Sequence, residues 1–139
     1  MPPRTRKMIR TEVRTRAQHA HAFLTAADLV IDLGHDAGID DLGNTIGSLA
    51  VLAGIAAGDA ICGAVLGERA AGQDHGDAVA MLRRTEPGKR LAPHLARLID
   101  SKTETQYSPL LLTEARAADL LKAARRLVDG MDDVLRTLS

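Results

Sequence analysis

Lys102 and Tyr107 are the side chains whose spacing best suits chemistry on an anion. Lys102 falls at the same angle around a helix as Leu91, Leu95 and Leu98, so an apolar stripe runs directly into an ammonium. Five residues on stands Tyr107, the only tyrosine, followed by Ser108 and Pro109, where a helix should stop. An ammonium held partly inside a protein needs a carboxylate, a carbonyl or an anionic ligand. Asp59 is the natural carboxylate, because it sits in the most apolar stretch of the chain and cannot be left unpaired there without cost. If Asp59 and Lys102 meet, they form either a buried ion pair that fixes helix register or a device in which Asp59 orients Lys102 toward a phosphate beside Tyr107. Only the second arrangement needs an opening to solvent. His75, between Asp74 and Asp77 at a helix start, is a further candidate acid or base, or else an exposed residue of the capping region.

Other chemistries lack their residues. His19 and His21 point about 200° apart on a helix, and His35, His75 and His94 are scattered, so no metal signature is present. Neither a Ser, His and Asp arrangement nor a phosphate-cradling glycine loop can be read, and no cofactor is expected. With 18 Lys and Arg against 18 Asp and Glu the formal net charge is zero, which argues against charge-driven binding along a whole duplex. The distribution is uneven all the same: Arg4, Arg6, Lys7, Arg10, Arg14 and Arg16 make a basic head, and Asp28, Asp32, Asp36, Asp40 and Asp41 an acidic tail. Phe23 and Tyr107 are the only aromatic residues, so an RNA contact would be electrostatic rather than stacked. Cys62, alone among Ala, Ile and Gly, reads as a buried small apolar side chain in a reducing compartment. No secretory signal can be read, and a cytoplasmic location is expected.

The elements that must position these residues are helical. Residues 1–11 read as a flexible basic arm and 12–139 as a single helical-bundle domain. Val13, Ala17, Ala20, Leu24, Ala27 and Ile31 mark a first helix that stops at Gly34 and Gly38. A second, from about Asp41 to Gly67, is almost entirely apolar or small and carries Gly54-x-x-x-Gly58. By itself it could span a membrane. Asp59 opposes that reading, since a carboxylate in the inner half of a span costs about 2.5–3.5 kcal/mol, and aromatic anchors are missing. A short third helix covers His75 to Arg84, and Glu86 to Lys89 reads as a turn. The fourth helix places Pro93 in its first turn, and the last begins after Thr113 and shows a heptad-like face from Ala117 to Leu138. No strand pattern is apparent. The fold expected is all-α, an up-and-down bundle of four to five helices.

This order of elements resembles the HEPN superfamily of small helical bundles over about residues 12–138. Two stretches carry the likeness: the second helix, Asn44 to Gly67, with Asp59 among small residues, and Lys102-Thr-Glu-Thr-Gln-Tyr107 before Ser-Pro. Active members of that family hold Arg, four to six residues, then His, and a dimer joins two such pairs in a cleft that cleaves RNA without metal. Here Lys102 replaces the Arg and loses its planar fork, and Tyr107 replaces the His with a phenol that is a poor base at neutral pH. The resemblance implies a homodimer that binds RNA or a nucleotide phosphate with little or no catalysis, in a toxin–antitoxin or nucleotidyltransferase pair. Lys102 would then contact phosphate, Tyr107 donate a hydrogen bond and Asp59 position Lys102. The alternatives are a module that only binds another protein, and a weak metal-independent endoribonuclease.

Overall fold

Five helices and one small antiparallel ladder make up the computed structural model, which describes residues 4–72, 75–102 and 112–138. In chain order they are β1 (Thr5–Lys7), α1 (Arg10–Leu33), α2 (Leu42–Leu66), β2 (Glu68–Ala70), α3 (His75–Arg83), α4 (Glu86–Asp100) and α5 (Glu114–Leu138). The all-α bundle is the architecture the apolar periodicity requires.

The first helix packs antiparallel to the second, and α2 lies between α1 and α5 as the centre of the bundle. Its small residues explain why it can. Gly54 and Gly58 receive Leu98 and Leu95 of α4 where a Cβ would stand. The leucine stripe of α4 therefore nests in the small-residue face of α2, so the glycines serve packing between helices of one bundle. Of its most apolar window, 67% is buried by the other helices. Gly130 plays the same part on α5, where Leu91 occupies the space a side chain would fill. The predicted face of α5 is buried from Ala117 through Met131, but Leu138 emerges 52% exposed at the end of the bundle. Across the outer side, His21–Asp132 (2.8 Å), Asp28–Arg125 (2.6 Å) and His35–Glu114 (3.3 Å) tie α1 to α5 with antiparallel register.

Helix ends follow local chemistry. Asp41 caps α2 by accepting from the Asn44 N–H, and Gly67, at φ 76°, ends it in the left-handed region. Thr113 caps α5 by accepting from the Arg116 N–H at 3.1 Å.

Three sequence expectations change. Thr5–Lys7 pair with Glu68–Ala70 in a ladder, with Thr5 opposite Ala70 and Lys7 opposite Glu68, so this part of the basic arm is tied to the end of α2. Met8 is 7% exposed and its N–H donates to the Gly67 carbonyl, which makes it a core residue lying before the expected domain start. The Glu86-Pro-Gly-Lys89 turn is instead the first turn of α4, because Thr85 caps it: its Oγ1 accepts from the Gly88 N–H at 2.9 Å and donates to the Leu82 carbonyl at 2.8 Å. Pro87 is thus the proline of the first turn, and Pro93 lies in the helix interior.

Candidate functional site

Asp59 lies on α2 opposite Arg16 of α1, and the antiparallel packing of these helices places the guanidinium over the carboxylate. Arg16 Nη2 donates to Asp59 Oδ2 at 2.9 Å. The acid is 8% exposed and the Arg16 side chain 28%, so the pair runs from the core to the surface. Burial pushes the Asp59 carboxyl above its ordinary range, while the Arg16 hydrogen bond and charge, then Arg69 and His75, pull it back. Cys62, one turn further along α2, feels the same interior. Burial, assisted by the Asp59 charge, lifts its thiol to about 12, so it is an unreactive apolar side chain.

Lys102 stands just past the end of α4 and His75 opens α3. Lys102 Nζ lies 2.9 Å from His75 Nε2. An ammonium can only donate, so a neutral imidazole would be the acceptor in this contact. Ser101, fully buried beside Lys102, donates to the Arg97 carbonyl and accepts from Arg116 of α5 at 3.1 Å. These bonds fix the end of α4 from which the lysine projects.

The Asp59–Lys102 contact expected from the sequence is therefore replaced by two others: Asp59 bonds Arg16, and Lys102 bonds His75. The two pairs remain neighbours, since His75 is close enough for its charged form to act on Asp59. Tyr107 lies outside the described residues. Among the described residues, no group of three His, Cys, Asp or Glu side chains is placed to hold a metal ion.

Beside the ion pair a cavity of about 240 Å3 opens to solvent, lined by Arg16, Arg69, Thr11, Thr15, Glu12 and Met8. Glu12 is engaged in capping α1, where Oε1 accepts from the Ile9 N–H at 3.1 Å. Arg69 reaches it from β2, with Nη1 also donating to the Ala70 carbonyl at 3.0 Å. Arg16 figures in the sequence reading only as part of the basic head, and Arg69 is given no role there. A signal existed for the first, which flanks the stripe of Val13, Ala17 and Ala20 and so lies at the margin of the core. For the second the only signal is its place two residues beyond Gly67.

Fold and cluster define a helical bundle with, among the described residues, one buried carboxylate on its central helix, paired with Arg16 beside a cavity that Arg69 also lines. Comparison with protein-family models, curated proteins and solved structures yields no match.

Proposed function

We propose that this protein binds a phosphate-bearing ligand, an RNA or a nucleotide, at the cavity lined by Arg16 and Arg69, with Lys102 as a further phosphate contact. The observation that carries the reading is Arg16, half in the core and fixed by Asp59, facing an open cavity with a second arginine on its wall. A guanidinium held in place by a buried acid has lost its side-chain entropy before the ligand arrives, which favours capture of a phosphate oxygen. Lys102, on its bond to His75 at the end of α4, supplies a further cation outside the cavity lining, within reach of a longer ligand. The resemblance to HEPN proteins supports the same ligand class, and with it a homodimer and a partner encoded alongside. Leu29, Leu33 and Leu52, at 54%, 55% and 39% exposure, give such a dimer apolar surface on α1 and α2.

The test is fluorescence anisotropy with an end-labelled single-stranded oligoribonucleotide, with ATP and GTP as competitors. Arg69→Ala and Lys102→Ala should each weaken binding about tenfold, roughly 1.4 kcal/mol, while the melting temperature stays near that of the parent. Wild-type protein that binds neither RNA nor nucleotide, or variants that bind as well as the parent, would overturn the reading.

One observation favours weak endoribonuclease activity as a second reading. His75 sets an imidazole nitrogen 2.9 Å from the Lys102 ammonium, a pairing able to move a proton at a scissile phosphate. Incubating the protein with total RNA in the presence of a chelator checks it, and cleavage that survives His75→Ala would exclude this role for the imidazole.

A further inference from the structure

A second cavity lies elsewhere, at the end of the bundle where α1 begins and α2 and α5 finish. It has a volume of about 610 Å3, in the range of small-molecule sites. Its walls are Val13 of α1, Gly63 of α2, and Leu135 and Leu138 of α5, with Arg10 and Arg14 on one side. Gly63 shapes the floor: a Cβ there would stand 2.7 Å from Met8 Sδ and 2.9 Å from a Val13 methyl, so no side chain can fill the space from that position.

The two arginines are one turn apart on α1 and both exposed. Among the described residues their guanidinium groups enter no ion pair or hydrogen bond, and no carboxylate side chain lines the cavity. The apolar character continues onto the surface, where Ile9 is 64%, Val65 41% and Leu138 52% exposed. An apolar trough with Arg10 and Arg14 on its rim is complementary to an aliphatic chain ending in a single anionic head.

We propose that this cavity binds a medium-chain alkyl carboxylate, its chain along Val13, Gly63 and Leu135 and its carboxylate between Arg10 and Arg14. The site is separate from the Asp59 cleft, and among the described residues only Met8 borders both cavities. The bidentate fork of each arginine suits a carboxylate better than a neutral head group, and each methylene buried should tighten binding about fourfold.

Isothermal titration with hexanoate, octanoate and decanoate, all below their micellar concentrations, reads this directly, with decanol as the uncharged control. Affinity should rise with chain length, and decanoate should bind at least tenfold more tightly than decanol. Arg10→Gln with Arg14→Gln should erase the preference for the carboxylate while decanol binding persists. Ala64→Trp, a half-exposed position on the cavity wall, should fill the trough and abolish binding of the whole series, with circular dichroism verifying that the helices remain. Absence of saturable decanoate binding, equal binding of decanol by the parent, or undiminished binding by the tryptophan variant would each overturn the proposal. So would binding to vesicles of phosphatidylglycerol without binding of free decanoate, which would make the rim a lipid-headgroup surface instead.

Discussion

Arg16→Ala would remove the donor that Asp59 has among the described residues, in a place only 8% exposed. The acid would respond by holding its proton to still higher pH, and the cost in stability should be about 1–3 kcal/mol, with Arg16→Lys recovering part of it. Chemical denaturation at neutral pH measures the first effect and carboxyl titration by NMR the second. Asp59 also sets a pH dependence of its own. Its carboxyl pKa in the folded protein is above the ordinary 3.8, so between those values the folded state binds more protons than the unfolded chain. The contribution of Asp59 is therefore greatest below 3.8 and is lost as pH rises through the raised value. Asparagine has no such equilibrium, so the stability of the parent minus that of Asp59→Asn should fall with pH across this window and level off above it. A difference that rises with pH would mean that pairing with Arg16 outweighs burial.

At the scale of elements, the contact of α2 with α4 makes a prediction about two glycines that look alike in sequence. A Cβ on Gly58 would stand 3.1 Å from a terminal methyl of Leu95, a contact that a small rotation relieves, whereas one on Gly54 would overlap Leu98 outright and press on Leu127 as well. Alanine gains up to about 1 kcal/mol of helix propensity over glycine at either site. Gly58→Ala should therefore be neutral or stabilising, and Gly54→Ala should lower stability by about 1–3 kcal/mol through overpacking, as thermal melts would show. Thr85→Ala should cost about 1–2 kcal/mol, because the capping oxygen of α4 is buried, and Thr85→Ser should restore most of it. These elements also show what was legible. Stripes such as Leu91, Leu95 and Leu98 identify a helix and its buried face without any partner being known. The crossing register of two helices is different: it depends on how Gly54 and Gly58 seat Leu98 and Leu95 and on the connection from Gly34 to Asp41. So the need of Asp59 for a cation could be read, but the choice of Arg16 over Lys102 could not. Thr85 was concealed for another reason, since Pro87-Gly88 has the composition of a turn and only the threonine cap converts it into the start of a helix. Met8 and the ladder of Thr5–Lys7 left no periodic trace, three residues being too few to alternate visibly.

For the molecule as a whole, zero net charge means that any affinity for nucleic acid must come from local arrangement, because no long-range attraction is available. The proposed phosphate contacts are three cations, Arg16 and Arg69 at the cavity and Lys102 at the end of α4, and the acidic residues Asp36, Asp40 and Asp41 stand beyond the far end of α1. A site of this kind touches few phosphates, so its salt dependence should be shallow. Taking one phosphate for each of the three cations, and about 0.7 counterions released per phosphate on a single strand, the slope of log K against log salt should be roughly −2 per site. Removing one cation with Arg69→Ala should reduce the steepness by about 0.7 as well as weakening binding, whereas Arg125→Ala, on the outer side where the arginine pairs with Asp28, should change neither. Anisotropy titrations across a series of salt concentrations measure all three slopes. A parent slope several times steeper would require the basic residues before α1 to contact the strand, and identical slopes for the parent and Arg69→Ala would remove Arg69 from the phosphate site.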